Sequence, residues 1–135
     1  GLPVYAECGG LMYLCRNLIY NDQSYEMCGV LPCYTQMSST PHGHGYTRMT
    51  TLKPNYLFAE GSEIRGHEFH HSRICNVDEN AIDFIFKVER GYGLDGQRDG
   101  VCTGNVIASY NHLYAPSHPE WAANFVARVR QYEKM

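Results

Sequence analysis

Long apolar runs are missing from this sequence: the longest, such as Val106-Ile107-Ala108, fall far short of the roughly 20 residues that cross a bilayer. No segment is expected to span or anchor in a membrane. A surplus of positive charge is missing too. Eleven Lys plus Arg against fourteen Asp plus Glu give a formal charge of -3, without the basic footprint of a nucleic-acid binder, and no polyanionic partner is expected. Among the six cysteines, Cys8, Cys15, Cys28, Cys33, Cys75 and Cys102, no pair has the two-residue spacing of a zinc or redox motif. Neither a signal peptide nor an initiator Met precedes Gly1-Leu2-Pro3. The thiols are therefore expected to be reduced, as in a cytoplasmic enzyme, and the abrupt start reads as a piece of a longer polypeptide.

What remains is ordinary globular material. The 135 residues, 44% hydrophobic and 19% charged, suit one domain over 1–135, and no repeat or low-complexity stretch divides them. Pro3 to Glu7 is extended in character and runs through Cys8-Gly9-Gly10 into Leu11, Leu14, Cys15, Leu18 and Ile19. Those five recur at i, i+3, i+4, i+7 and i+8, which predicts strand, sharp turn, helix. Ser24 to Met37 predicts a short strand with irregular flanks, and Thr47 to Thr51 another strand. Ile82, Phe84, Phe86 and Val88 alternate with polar residues as a half-buried strand does. Asp95-Gly96 and Asp99-Gly100 suit tight reversals within Gly91 to Gly100, ahead of a strand from Asn105 to Tyr110. Ser117-His118-Pro119-Glu120 has the spacing of a helix cap before an apolar face of Ala122, Phe125, Val126 and Val129.

Chemistry is concentrated in a few places. Cys8 stands where strand gives way to helix, a turn that needs small neighbours and lifts a side chain above a sheet. The helix N-terminus there favours a thiolate, and the Gly9 N–H is placed to stabilise an oxyanion beside the sulfur. A buried cysteine ahead of a glycine-rich turn fits the spacing equally well. A nucleophilic thiol needs a base, and of the seven histidines His112 follows a predicted strand end, where ligands collect in open α/β sheets. A loop histidine without a partner is the alternative. His42 and His44 read as loop residues, and His118 as part of the helix cap. His67-Glu68-Phe69-His70-His71 matches the zinc-protease pattern His-Glu-x-x-His, which works only on a helix; extended, at ~3.3 Å per residue, it separates His67 from His71 by roughly 13 Å. Gly91-Tyr92-Gly93 lacks the rest of a phosphate loop, so no nucleotide site is expected. Arg48, Arg65, Arg73 and Arg98 are each able to clamp a carboxylate.

Three segments taken together, Val4 to Leu14, Gly66-His67-Glu68-Phe69-His70, and Asp99-Gly100 with Asn105 to Leu113, resemble a known family. They are similar to the class I glutamine amidotransferase domains of the cobyrinate and cobyric acid synthase type, cobyrinic acid a,c-diamide synthase above all. The resemblance covers nearly the whole chain. It implies an open, three-layer α/β sheet of the flavodoxin-like type, N-terminally incomplete here, with Cys8 as nucleophile, His112 raising its nucleophilicity and the Gly9 N–H in the oxyanion hole. It implies a ligase whose glutaminase part releases ammonia from glutamine. It also implies an N-terminal synthetase domain, outside this sequence, that uses ATP and Mg to amidate the a and c carboxylates of a corrinoid in cobalamin synthesis. No cofactor is expected on this chain, and the missing upstream residues include a loop expected to supply a second oxyanion donor. Other class I glutaminases carry a carboxylate two residues past the histidine, where this sequence has Tyr114, so a dyad or a third group from elsewhere is implied. Glu68 and His70 are the candidates for orienting the site, with a purely structural strand as the alternative. A related tetrapyrrole amidase or cobyric acid synthase, a catalytically silent module of the same fold and a zinc hydrolase are the competing readings.

Overall fold

A computed structural model describes residues 1–135. In chain order its elements are β1 (Val4–Glu7), α1 (Gly9–Leu14), β2 (Asn17–Tyr20), β3 (Gln23–Glu26), β4 (Tyr34–Met37), β5 (Gly43–Thr51), β6 (Glu63–His70), β7 (Ser72–Cys75), β8 (Asp83–Arg90), β9 (Arg98–Thr103), β10 (Val106–Ser109), β11 (His112–Leu113) and α2 (Trp121–Glu133), the last preceded by a 3-10 turn at Ala115–Ser117. Seven strands form one sheet in the order β1-β10-β9-β8-β5-β6-β11, and four form a second in the order β3-β2-β4-β7. Only β1 with β10 and β2 with β4 are parallel pairs.

The main sheet curls because of one short connection. β10 lies next to β1, and β11 pairs with β6 at the far edge, yet only Tyr110 and Asn111 separate β10 from β11. A link that short spans roughly 10 Å, so the far edge must bend round to meet it. The C-terminal end of β1 is thereby brought to β6, from which it is remote in strand order.

Two apolar clusters fill the layers on either side. One packs Leu11, Leu14 and Cys15 of the α1 region and Leu31 and Cys33 against Val101, Ala108 and Tyr110 of the sheet. The other joins Met49, Phe58, Ile64, Phe86 and Ile107, with Trp121 and Phe125 of α2 packed on it. All six cysteines are free thiols, and no helix is long and apolar enough to cross a membrane.

Three expectations about local structure are corrected. The helix after Cys8 ends at Leu14, and Leu18 and Ile19 belong to β2. Asn21 and Asp22 both adopt positive φ, the backbone of a two-residue hairpin turn, so β2 pairs with β3 and the apolar period is shared between helix and strand. Asp99-Gly100 does not reverse the chain but lies inside β9, where Gly100 at φ 68 meets the Phe86 and Ile85 side chains so closely that a Cβ has no room. Ser117 does not cap α2: its hydroxyl bonds the Tyr114 carbonyl, and the helix starts at Trp121 without a side-chain cap. The half-buried side of α2 is Trp121, Asn124, Phe125, Arg128 and Val129, and of the expected apolar face Ala122 and Val126 are exposed.

Candidate active site

Cys8 sits at φ 48, ψ -103, between the last residue of β1 and the first of α1. Few non-glycine residues tolerate that backbone, which costs of the order of 1–3 kcal/mol and persists where the surroundings over-determine it. Here the Cys8 N–H donates to the Ser109 carbonyl at 2.8 Å and its own carbonyl accepts from the Met12 N–H. The half-buried sulfur lies 3.9 Å from the Phe69 carbonyl of β6. Burial pushes the thiol pKa up, the neighbouring charges of Glu7 and Asp99 add to this, and the Gly9 N–H aimed at the sulfur opposes them. The direction of this shift runs against a resting thiolate at the start of α1, a helix of only six residues. A proton acceptor must come from outside the turn.

His112 opens β11 opposite His67 of β6, and the two imidazoles stack at 4.8 Å with a 7° tilt. This register depends on Gly66, whose Cβ, if it had one, would strike the His112 carbonyl and the Asn111 carboxamide. Glu7, immediately before the cysteine, faces the same imidazole: its Oε2 is 3.7 Å from His112 Nδ1. Its Oε1 accepts from the Tyr5 hydroxyl at 2.7 Å and from the Leu113 N–H at 2.9 Å, which fixes the carboxylate's orientation. Sequence reasoning missed Glu7. Alternation along β1 puts Tyr5 and Glu7 on one face, a usable signal, but the curl that carries His112 to that face was not readable.

The corner that carries His112 is held from beneath. Asp99, fully buried, accepts from the N–H groups of Gly100, Tyr110 and Asn111 at 2.7, 3.1 and 3.2 Å. Burial raises its pKa to about 6, against the hydrogen bonds to Gly100, Ser109, Tyr110 and Asn111, which favour the charged form. Asn111 in turn accepts from the Thr47 hydroxyl at 2.5 Å.

Glu68 and His70 point to the opposite side of β6 from His67, into the interior, 2% and 3% exposed. His70 Nδ1 is 2.9 Å from the Ser72 carbonyl and Nε2 is 3.1 Å from Glu68 Oε2. Both ring nitrogens thus face oxygen atoms, one of a backbone carbonyl and one of a carboxylate. Burial alone would raise the Glu68 pKa, but hydrogen bonds from His70, Tyr92 and Gly93 win and lower it. The Tyr92 and Gly93 N–H groups reach Glu68 at 2.5 and 2.9 Å, so the Gly91-Tyr92-Gly93 turn cradles the chain's own carboxylate. His70 also stacks on Tyr110, 3.7 Å between ring centres, two residues before His112.

The His67 to His71 pattern lies on an extended strand and its end, as the spacing argument required, with His71 against Phe69. No group of three or more His, Cys, Asp or Glu side chains is arranged to hold a metal ion. His42 lies 6.2 Å from Tyr92, His44 packs tilted against Phe69, and His118 packs edge-on to Phe58. Arg98 is engaged with Asp95, Glu79 and the Phe84 ring, and Arg73 with Gln36.

A strained cysteine on a strand-to-helix turn, with a histidine brought to the same strand, can be set beside known proteins. The family model described as the CobB/CobQ-like glutamine amidotransferase domain matches residues 1–120. The chain belongs to that family. It is 43% identical over 129 residues to a cobyrinate a,c-diamide synthase of Archaeoglobus fulgidus, covering 96% of this chain and 28% of that protein. It is 37% identical over 132 residues to the protein of that name from Methanothermobacter thermautotrophicus, covering 98% of this chain and again 28% of the relative. The chain thus spans a little over a quarter of the curated relatives it matches. Among solved structures, a putative GMP synthase protein of Thermoplasma acidophilum superposes with TM-score 0.66 at 15% identity, over 98% of this chain and 59% of the other. A glutamine amidotransferase of Thermotoga maritima does so with TM-score 0.53 at 13% identity, over 97% and 50%. The fold is that of the class I glutamine amidotransferases, flavodoxin-like and only partly represented in this chain.

Proposed function

We propose that residues 1–135 are the glutaminase domain, at the C-terminal part, of a cytoplasmic ATP-dependent cobyrinate a,c-diamide synthase, a ligase that takes nitrogen from glutamine. The observation that carries the reading is Cys8 at positive φ on the turn between β1 and α1, with the preceding carboxylate directed at His112. The names of the relatives support the corrinoid acceptor.

In this reading Cys8 Sγ attacks the side-chain amide carbon of glutamine while its proton passes to His112. The raised thiol pKa fits a thiol that gives up its proton only as the bond forms. The Gly9 N–H stabilises the oxyanion beside the sulfur. The C–N bond then breaks, His112 returns the proton to the departing nitrogen, and ammonia leaves a thioester on Cys8. Water gives a proton to the now neutral His112 and attacks the carbonyl carbon; the C–S bond breaks, glutamate departs and the sulfur recovers its proton. Glu7 is the third group: it keeps Nδ1–H directed toward itself, so that Nε2 is the nitrogen that accepts, and it steadies the imidazolium. ATP and Mg belong to the synthetase portion, where the corrinoid carboxylates are amidated. The Tyr92 and Gly93 N–H groups of the glycine-rich turn are not free to cradle a phosphate, because they already hold Glu68.

The test is Cys8→Ala in the full-length enzyme. Glutamine-dependent amidation is expected to fall by at least about 1,000-fold, with ammonia-dependent amidation retained. Glutamine use that survives the substitution would refute the assignment, and loss of both activities would leave the glutaminase role without support.

A further inference from the structure

On the same sheet face as His67 and His112 lies a row of three arginines. Arg48 of β5 is directly opposite Arg65 of β6 on one side and Arg90 of β8 on the other. Like charges facing each other across adjacent strands destabilise a sheet, and this row stands in a chain whose net charge is -3. Arg65 has a partner, Glu63, at 2.6 Å on its own strand. Neither Arg48 nor Arg90 makes an ion pair. The three line a groove of about 720 Å³ together with Tyr46, His67 and Tyr114.

The rest of that face is equally unusual for a solvated one. Tyr46, Phe69 and Tyr114 are 76%, 53% and 59% exposed. The outward positions of an antiparallel strand facing water are expected to be polar. Here they hold aromatic and Arg side chains, the residues enriched at the energetic centres of protein interfaces. The groove also borders the candidate active site, since His67 is both its wall and the stacking partner of His112. Arg65 is four residues along β6 from Phe69, whose carbonyl meets the Cys8 sulfur, a separation of roughly 13 Å at the rise of a strand.

We propose that the Arg48–Arg65–Arg90 row, with Tyr46, Phe69 and Tyr114, is the surface on which the synthetase portion of the same enzyme docks, presenting Asp and Glu carboxylates to the guanidinium groups and closing the mouth beside His67. The inference rests on the glutaminase reading above. Relatives more than three times the length of this chain contain the polypeptide needed to cover the face. A carboxylate-bearing surface relieves the repulsion within the row, and an aromatic seal keeps newly released ammonia from bulk water. Because His67 belongs to both docking face and catalytic stack, loss of the contact also loosens the imidazole.

The experiment compares full-length enzyme carrying Arg48→Ala with Arg90→Ala, and Arg48→Lys with Arg90→Lys, measuring glutamate released per amide formed. The alanine pair is expected to raise that ratio about tenfold by letting ammonia escape, and the lysine pair, which keeps the charge, to stay within about twofold of the parent. An unchanged ratio in the alanine pair overturns the proposal. So does a tenfold rise in the acceptor KM when free ammonia is supplied, which would make the arginines a site for the acceptor instead. If the alanine pair does not fold, phenylglyoxal labelling of the unaltered full-length enzyme decides: Arg48 and Arg90 are expected to react at least about tenfold more slowly than the exposed Arg130, and equal rates overturn the proposal. Cys8→Ala separates the two levels. If it loses glutamine use while the arginine variants stay coupled, only the docking surface is refuted.

Discussion

The two faces of β6 carry similar side chains under opposite physical conditions. Inward, Glu68 and His70 are buried, and their polar atoms are met by Ser72, Tyr92, Gly93 and each other. Outward, Arg65, His67 and Phe69 meet solvent, and His67 has a flat stack with His112 as its specific partner. A saturated inner network resists change and fixes the strand. An outer face with spare hydrogen-bonding and charge capacity is where a substrate or a partner finds something to bind. One strand of eight residues thus separates a buried polar network from an exposed face by alternation alone.

The contrast is broken most severely from the inside. Glu68→Gln in the full-length enzyme disturbs the buried hydrogen bonds that Glu68 shares with His70, Tyr92 and Gly93, and a loss of about 1–3 kcal/mol in unfolding free energy is expected by denaturant titration. A cost below about 1 kcal/mol would mean the interior pair is not the support described. Next comes the Asp99 carboxyl. The folded protein holds this proton more tightly than the unfolded chain, because the pKa rises from an ordinary 3.8 to about 6. Its contribution is therefore fully present below pH about 4 and is lost as pH climbs through about 6, by up to about 3 kcal/mol. Asp99→Asn should flatten that part of the stability profile, and an unchanged slope would remove Asp99 as its source.

Two substitutions on the outer side sharpen the comparison. Glu7→Gln is expected to lower the glutaminase kcat by about ten- to a hundredfold, or ~1.4–2.7 kcal/mol, while the melting temperature stays close to the parent. Equal kcat values would exclude a role for the carboxylate. His67→Ala removes one stacked ring and should cost the least, about 0.5–1.5 kcal/mol in kcat/KM for glutamine, with folding intact. A variant that unfolds instead would place His67 with the interior group.

Much of this architecture was legible in the sequence, and the exceptions have physical causes. The strand–turn–helix at Cys8, the alternating strand from Asp83 to Arg90 and the extended nature of the His67 segment follow from local pattern. The helix predicted through Ile19 failed because the apolar period continues, by coincidence of spacing, into a strand whose hairpin is set by Asn21 and Asp22. Asp99-Gly100 looks like a turn dipeptide, and its use as a buried bracket for the next strand is a tertiary fact. Glu7 was missed for the same reason: its relation to His112 spans 105 positions and exists only because the sheet closes. Local pattern made the sulfur and the imidazole candidates and the family resemblance paired them; the carboxylate beside His112 is visible only in the closed sheet.

The twisted backbone at Cys8 has one more implication. A glycine there would relax the bend at no steric penalty, so, in the glutaminase reading proposed above, a sturdier form of this domain is one that has lost its own reagent. Drift toward robustness and the keeping of a nucleophile pull in opposite directions at this residue.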